Sequence, residues 1–468
     1  MRGRTNYTGG AKPVLNADLV TCTVAPGATV NKGDFLELYG EYKISEVLGF
    51  GTSLIKSARL GNNLFVLAVR ASTNEWSLRI VDTSTGDIDL KAMYSVTLGN
   101  GYTSSVEVSI VALEDGRFAL FGPRADGYLG VTLQLYKYEG ESITRLATEY
   151  FYSQGSSNSN PAHAPICAIT GKRLVVMWYS YIYHRVYSYA DDTLTKLNTS
   201  EYVSGANSYI EDNMYLTVPE TDFFIGLSKS GSYMSLQKAV SNDEIKYWTR
   251  TSLPENSYLP SSNNVIFVDD HNVLMVVSYK GSGTYNYEPN HMMLIDTKNM
   301  GVVASTPAHQ LSGMPSSRSS RVFGAIASLG DGYFVMFEGK SVDNSTTPAN
   351  NVNYISYGRA TSEQGIKILD CVEILVQSKF AFMGQGAVFA DEDRNCFYVE
   401  SYSLDAKVYN TSYVKFHIAN DKIIMKSDTL YAKKFSSRFD GVADSSGTSG
   451  EKINVFVPAG YTPPELTK

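Results

Sequence analysis

Short apolar runs of about four to eight residues, separated by polar turns, recur along the chain and set a strand period rather than a helical one. Val108-Ser109-Ile110-Val111-Ala112-Leu113, the turn Glu114-Asp115-Gly116-Arg117 and Phe118-Ala119-Leu120-Phe121 form one such hairpin. The same unit returns at Val265-Ile266-Phe267-Val268 with Val273-Leu274-Met275-Val276-Val277, and at Ile326-Ala327-Ser328-Leu329 with Tyr333-Phe334-Val335-Met336-Phe337. Between these hairpins lies a looser second one: Leu78-Arg79-Ile80-Val81-Asp82 to Ile88, Leu133-Gln134-Leu135-Tyr136 to Ile143, and Met293-Leu294-Ile295-Asp296 to Val302. Residues 362–377 come nearest to a helical pattern, and Ile366-Lys367-Ile368-Leu369 reads as well as strand. The pattern predicts an all-β chain.

The first apolar residue after each hairpin turn falls at Leu64, Phe118, Leu174, Phe223, Val273, Tyr333, Cys396 and, more weakly, Ile453. The spacing is about 50–60 residues, and two hairpins per repeat make four strands, which predicts a β-propeller of seven or eight four-stranded blades. Residues 1–34 stand outside the repeat as an N-terminal β arm suited to docking, and residues 461–468, with Pro463 and Pro464, as a tail that cannot continue a sheet. Phe35-Leu36-Glu37-Leu38-Tyr39 and Ile453-Asn454-Val455-Phe456-Val457 each lack a partner hairpin. The expected architecture is therefore a propeller over 35–460, its ring closed by a composite blade from 35–47 and 436–460.

Composition narrows the function. Lys and Arg number 40 against 47 Asp and Glu, a formal net charge of −7, so there is no broad cationic face to take up a nucleic-acid backbone. Charged residues make up 19% of the chain and aromatics 12%, with 33 tyrosines, the balance of a Tyr-surfaced β protein. No apolar run approaches the length of a membrane span, and Met1-Arg2-Gly3-Arg4-Thr5-Asn6 leads into polar sequence without an apolar signal region. The expectation is no nucleic acid, no membrane insertion and no signal peptide.

Common chemistry is not written into the chain. The cysteines at 22, 167, 371 and 396 and the six histidines are scattered, without metal-ligand spacing, and no phosphate loop, dinucleotide fingerprint or nucleophile elbow occurs. No cofactor, metal or catalytic residue is expected, although a glycan-hydrolase site assembled from several blades stays open as an alternative. Ser241-Asn242-Asp243-Glu244-Ile245-Lys246-Tyr247-Trp248 approaches a sialidase-type turn without its glycine, and Asp269-Asp270-His271-Asn272 gathers acids and an imidazole. Both read as ordinary turns.

Binding residues are easier to nominate. In Trp178–Tyr189, read as one strand, Tyr179, Tyr181 and Tyr183 form an aromatic row with His184 opposite. Lys280–Asn290 reads as a long Tyr/Asn/Gly-rich loop presenting Tyr285 and Tyr287, and Ser316–Arg321 offers Arg318 and Arg321 to an anion.

Residues 23–38, Thr23-Val24-Ala25-Pro26-Gly27-Ala28-Thr29-Val30-Asn31-Lys32-Gly33-Asp34-Phe35-Leu36-Glu37-Leu38, resemble the opening V-x-P-G-x-x-V-x-x-G-D-F-V-E-L of many bacteriophage and prophage structural proteins. The resemblance covers about the first tenth of the chain and transfers no functional residue. It implies a non-enzymatic component of a virion, tail- or head-associated, made in the bacterial host cytoplasm and oligomeric in the particle. Its partners would be other virion proteins and a host cell-surface glycan or protein. The alternative is a propeller that binds or cleaves host surface glycan.

Overall fold

Seven of the eight positions marked by the apolar repeat lie at the first or second residue of the second strand of a four-stranded antiparallel sheet. The computed structural model describes residues 17–25, 27–42, 45–50, 55–71, 75–98, 108–123, 130–152, 166–178, 183–199, 212–218, 221–228, 233–252, 257–258, 265–280, 287–307, 322–341, 351–376, 386–403, 409–424, 429–434 and 440–459. Blade 1 comprises Ile55–Arg59, Leu64–Arg70, Glu75–Asp82 and Asp89–Thr97. Blade 2 comprises Ser109–Ala112, Arg117–Pro123, Gly130–Glu139 and Ser142–Tyr152, and blade 3 Ile166–Ile169, Arg173–Trp178, Tyr183–Ser188 and Thr195–Lys196. Blade 4 is built from Asp212–Thr217, Phe223–Ser228, Tyr233–Ala239 and Ile245–Ser252. In blade 5, Val265–Phe267 and the shorter Ser257–Tyr258 pair with Asn272–Lys280, followed by Tyr287–Asp296 and Gly301–Pro307. Blade 6 is Val322–Gly330, Tyr333–Ser341, Asn351–Thr361 and Gly365–Val376, so residues 365–376 are strand and not helix. Blade 7 is Ala387–Ala390, Asn395–Ser403, Tyr409–Ala419 and Lys422–Ile424.

The second strand of a blade reads as an unbroken apolar run because neighbouring blades cover both of its faces; Phe65 to Val69 are all buried. The core is accordingly a set of wedges between blades. Val66, Leu78 and Ile80 pack with Phe118, Leu120 and Tyr136 between blades 1 and 2, and Ile225 and Met234 with Val273, Met275 and Met293 between blades 4 and 5. Ile55, Phe65 and Leu67 of blade 1 pack with Phe389, Phe397 and Tyr413 of blade 7, which closes the ring at seven blades. A further strand, Ser45–Phe50, pairs with Tyr409–Ala419 through Phe50↔Asn410 and Ser45↔Tyr413, so that blade 7 carries chain from both ends of the ring segment on one edge.

The terminal segments differ from the expected composite blade. Residues 1–42 and 425–468 form a unit of their own, and the ring occupies 43–424, so its boundaries fall there rather than at 34 and 460. Phe35–Tyr42 does meet the C-terminal segment, through Phe35↔Val442 and Leu36↔Gly441. The pairing belongs to a small closed barrel, however, whose strand order is Ala17–Val24, Lys452–Pro458, Gly441–Ala443, Phe35–Tyr42, Thr429–Lys434 and back to Ala17–Val24. Short strands Thr29–Val30 and Gly447–Thr448 pair beside it. The alternation in Lys452–Pro458 turns Ile453, Val455 and Val457 inward onto Cys22, Val24, Val30, Leu36 and Leu38. The apolar positions of the 23–38 motif are thus the interior of this barrel. An eighth blade is absent because the strands that would have built it close on each other.

Glycine is required where a turn touches its own sheet. Gly116 has φ +71°, and a Cβ there would lie 2.7 Å from the Tyr138 carbonyl oxygen; at Gly332, φ +82°, the Ala360 oxygen lies 2.9 Å away. Gly116→Ala is expected to lower stability by about 1–2 kcal/mol, a loss that denaturant unfolding reads directly. Gly140→Ala, at a positive φ with nothing within 4 Å of its Cβ, should cost less.

Candidate functional site

In an up-and-down four-stranded blade, the turns joining strands one to two and three to four emerge at one end of the ring. The connections from strand two to three, and from one blade to the next, emerge at the other.

At the first end each blade is locked by the same backbone bond. The carbonyl of a residue in the first turn, or flanking it, accepts from an amide where the third strand ends: Asn63 from Thr83, Gly116 from Tyr138, Lys172 from Tyr189, Asp222 from Ala239, His271 from Thr297, Gly332 from Ala360 and Arg394 from Ile418, all at 2.8–3.1 Å. Side chains add to the lock. Asp269 Oδ1 accepts from the His271 and Asn272 amides and Oδ2 from Asn272 Nδ2, and Asp391 holds Asn395 through its amide and Nδ2 in the same way. The Asp269–Asn272 cluster is therefore a hairpin turn that uses its acid to fasten the next strand. Asp243 of the sialidase-like segment accepts from the Thr199 amide and hydroxyl, tying blade 4 to blade 3.

Ion pairs also cross blade boundaries at this end. Arg117 meets Asp192 at 2.6 Å, Lys172 meets Glu114 at 3.0 Å, Arg173 meets Asp222 at 2.9 Å, Lys415 meets Asp87 at 3.2 Å and Arg59 meets Glu392 at 3.6 Å. The hydrogen bond to Asp192 pushes the Arg117 pKa further up. Between blades 6 and 7, Tyr357 donates to Asp421 at 3.1 Å, and burial followed by that hydrogen bond pushes its hydroxyl up to about 12. These groups are occupied in joining blades, which makes the turn end a poor place for an exchangeable ligand.

Buried titratable groups elsewhere are equally committed. Burial lowers Arg79 to about 10 and raises the Cys22 thiol to about 12; Cys167 and Cys396 are raised for the same reason. At pH 8 about one Cys22 in ten thousand is thiolate. Cys22, Cys167 and Cys396 are therefore expected to stay silent toward a thiol reagent in the native protein and to react on unfolding. Rapid native labelling at any of the three would contradict the packing described.

The strands that flank the sequence candidates finish at the opposite end. Tyr179 and Tyr181 lie outside the described residues, between Trp178 and Tyr183, which end the second strand and begin the third strand of blade 3. Trp178 pairs with Tyr183 and Met177 with the buried His184, so the run is a hairpin and not the single strand its composition suggests. Tyr285 also lies outside the described residues, and Tyr287 begins a strand, paired with Lys280, so the connection read as 280–290 narrows to 281–286. Tyr183 and Tyr287 are described in their backbone alone. Arg318 and Arg321 fall outside the described residues, between Pro307 of blade 5 and Val322 of blade 6. Tyr183 and Tyr287 open strands at this end, and the strands flanking the other five candidates finish there too, a relation that no local pattern in the chain announces. Among the described residues no cluster of His, Cys, Asp and Glu is arranged to hold a metal ion, and no helix is long and apolar enough to cross a membrane.

No family model matches the chain, and no curated protein matches it in sequence. Among solved structures it is similar to the WD40 domain of coronin from Toxoplasma gondii, at 9% identity, 86% of this chain, 91% of that one and a TM-score of 0.45. It is also similar to the C-terminal WD40 domain of Sif2, at 10% identity, 81% and 99% coverage and a TM-score of 0.41. A third similar structure is a protein from Lactobacillus plantarum, at 8% identity, 86% and 100% coverage and a TM-score of 0.45. At these identities and scores the seven-bladed ring rests on the strand pairing itself.

Proposed function

We propose that this chain is a non-enzymatic recognition ring, a structural component of a bacteriophage particle that contacts a neighbouring virion protein or a host surface through the end carrying the two-to-three and interblade connections. The observation behind this reading is the end of the ring at which the strands flanking the candidate connections finish. One end is consumed by carbonyl locks and interblade ion pairs, and the connections holding Tyr179, Tyr181, Tyr285, Arg318 and Arg321 start and finish at the other. A rigid scaffold presenting Tyr-, Ser- and Asn-rich connections suits adaptable protein or glycan contacts, because tyrosine supplies a flat apolar face and a polar tip at low entropic cost. The particle assignment rests on the resemblance of residues 23–38, and the acidic net charge argues against nucleic acid as the partner.

The same tyrosines support a second reading, a propeller that binds or cleaves host surface glycan, since aromatic faces also stack on sugars. Labelled protein incubated with bacterial cells and their isolated surface glycans separates the two. The recognition reading predicts retention without released saccharide, reduced at least about tenfold in affinity by Tyr285→Ala with Tyr287→Ala. Released saccharide would overturn the non-enzymatic assignment, and unchanged affinity in the double variant would remove the 281–287 connection from the site.

A further inference from the structure

The seam between blades 6 and 7 is the exception at the turn end. Where Arg59, Arg117 and Arg173 cross a seam they meet Glu392, Asp192 and Asp222, whereas two arginines here meet an aromatic ring and no carboxylate. Arg359, on the third strand of blade 6, pairs directly with Tyr333 on the second, and its guanidinium carbon lies 5.0 Å from the centre of the Tyr333 ring. Arg394, in the first turn of blade 7, reaches across the seam to the same ring at 5.3 Å. Tyr357 stacks parallel to Tyr333 at 5.8 Å and extends the aromatic surface. Tyr333, Arg359 and Arg394 are all half-buried.

A cation over an aromatic face is favourable, but the ring neutralises no charge, and two cations on one ring repel each other. Among the described residues neither guanidinium forms an ion pair, and the buried Arg359 Nε donates to no group of the protein. An oxyanion would answer both, because the planar fork of arginine matches two oxygens of one anion. The arrangement is set in advance: the Arg394 amide donates to the Asp391 carbonyl at 3.2 Å, and its carbonyl accepts from the Ile418 amide at 3.1 Å. Four acids lie close by. Asp421 is engaged by the Tyr357 hydroxyl and Asp391 by Asn395, while Asp331 and Asp393 stand exposed in the chain beside Tyr333 and Arg394. Such carboxylates repel an extended polyanion and restrict the seam to one compact anion.

We propose that Arg359 and Arg394, set on the Tyr333 ring, form a binding site for a single compact oxyanion of the phosphate type at the seam between blades 6 and 7. The inference does not depend on what the opposite end of the ring recognises. Two charge-assisted contacts at a half-exposed site support weak binding, with a dissociation constant on the order of 1 mM.

Titration of the full chain with inorganic phosphate, followed by phosphorus NMR line broadening and by melting against sodium chloride at equal ionic strength, tests this. Saturable binding of one phosphate per chain and a rise in melting temperature are expected. Arg359→Gln and Arg394→Gln should each raise the dissociation constant at least about fivefold, and together remove saturable binding, while melting in chloride stays near the parent. A sugar phosphate that binds as tightly as inorganic phosphate identifies the source as an esterified phosphate; one that binds at least about tenfold more weakly identifies it as the free ion, and both results support the site. Absence of saturable binding up to about 50 mM phosphate overturns the proposal. So does binding that survives in the double variant, or a double variant that melts lower in chloride and binds phosphate as the parent does, which would make the two arginines a cement between blades.

Discussion

Removal of residues 1–50 is expected to strip the outer edge of blade 7 and destabilise the ring. It takes away Ser45–Phe50, the strand paired with Asn410, Ser412 and Tyr413 on the edge of blade 7, together with the barrel strands Ala17–Val24 and Phe35–Tyr42. The third strand of blade 7 then loses its outer-edge partner over residues 410–413, while its own fourth strand covers only His417 to Ala419. An unpaired edge beside a large apolar wedge invites both fraying and pairing with other chains. Amide exchange at 409–413 should accelerate to the rate of an open edge, the melting temperature should fall by more than about 10 °C, and aggregates should form on warming. Removal of 436–468 is the informative contrast. It deletes Gly441–Ala443 and Lys452–Pro458 from the barrel and leaves the Ser45–Phe50 pairing in place, so amide protection at 409–413 should survive. A composite blade from the two chain ends would make both truncations equally damaging to the ring.

The second large effect is expected from Phe397→Ala. Phe397 is fully buried in the wedge between blades 7 and 1, 5.5 Å from the ring of Phe389 and 6.0 Å from that of Tyr413, and Phe389 in turn lies 4.6 Å from Phe65 of blade 1. Truncating an aromatic in such a site removes its transfer free energy and leaves a cavity that stiff neighbouring strands cannot fill, a loss of about 3–5 kcal/mol. The loss falls at the seam where the chain meets itself, with no covalent link between consecutive blades to hold it. Phe397→Leu, which keeps most of the volume, should recover more than half of the loss in a denaturant titration. An alanine variant within about 1 kcal/mol of the parent would show that the seam is not closed by this wedge.

Much of this architecture is legible in the chain. Leu64, Phe118, Leu174, Phe223, Val273, Tyr333 and Cys396 mark the second strands because burial on both faces leaves an unbroken apolar run, and turn residues such as Asp115-Gly116 mark where it begins. Ile453 carries the same local pattern but belongs to the barrel, since an alternating strand records that one face is buried and not what buries it. The Ser45–Phe50 pairing was beyond reach for a related reason: its partner lies more than three hundred and fifty residues away, and backbone ladders leave no mark on side-chain pattern. Trp178–Tyr189 misleads differently. Continuous aromatic and β-branched composition hides a reversal that carries no glycine, proline or asparagine. The Asp269–Asn272 and Asp391–Asn395 fastenings were readable in principle, as an acid three or four residues before an asparagine that opens an apolar run. For the candidate site, the sequence supplied the tyrosines and arginines one segment at a time. That the strands flanking them finish at one end of the ring follows only once the strand order is known.

The central claim, that recognition belongs to one end of the ring, is tested most directly by comparing two sets of substitutions in the same retention assay on bacterial cells and surface glycans. One set replaces Tyr179, Tyr285 and Arg318, in segments whose flanking strands finish at one end, by alanine; the other replaces Glu114, Lys172 and Lys415 at the turn end. Loss of retention in the first set alone, with both sets melting near the parent, is the predicted result. Loss confined to the turn-end set would contradict the account and move the binding surface to the face described here as occupied by the blades themselves.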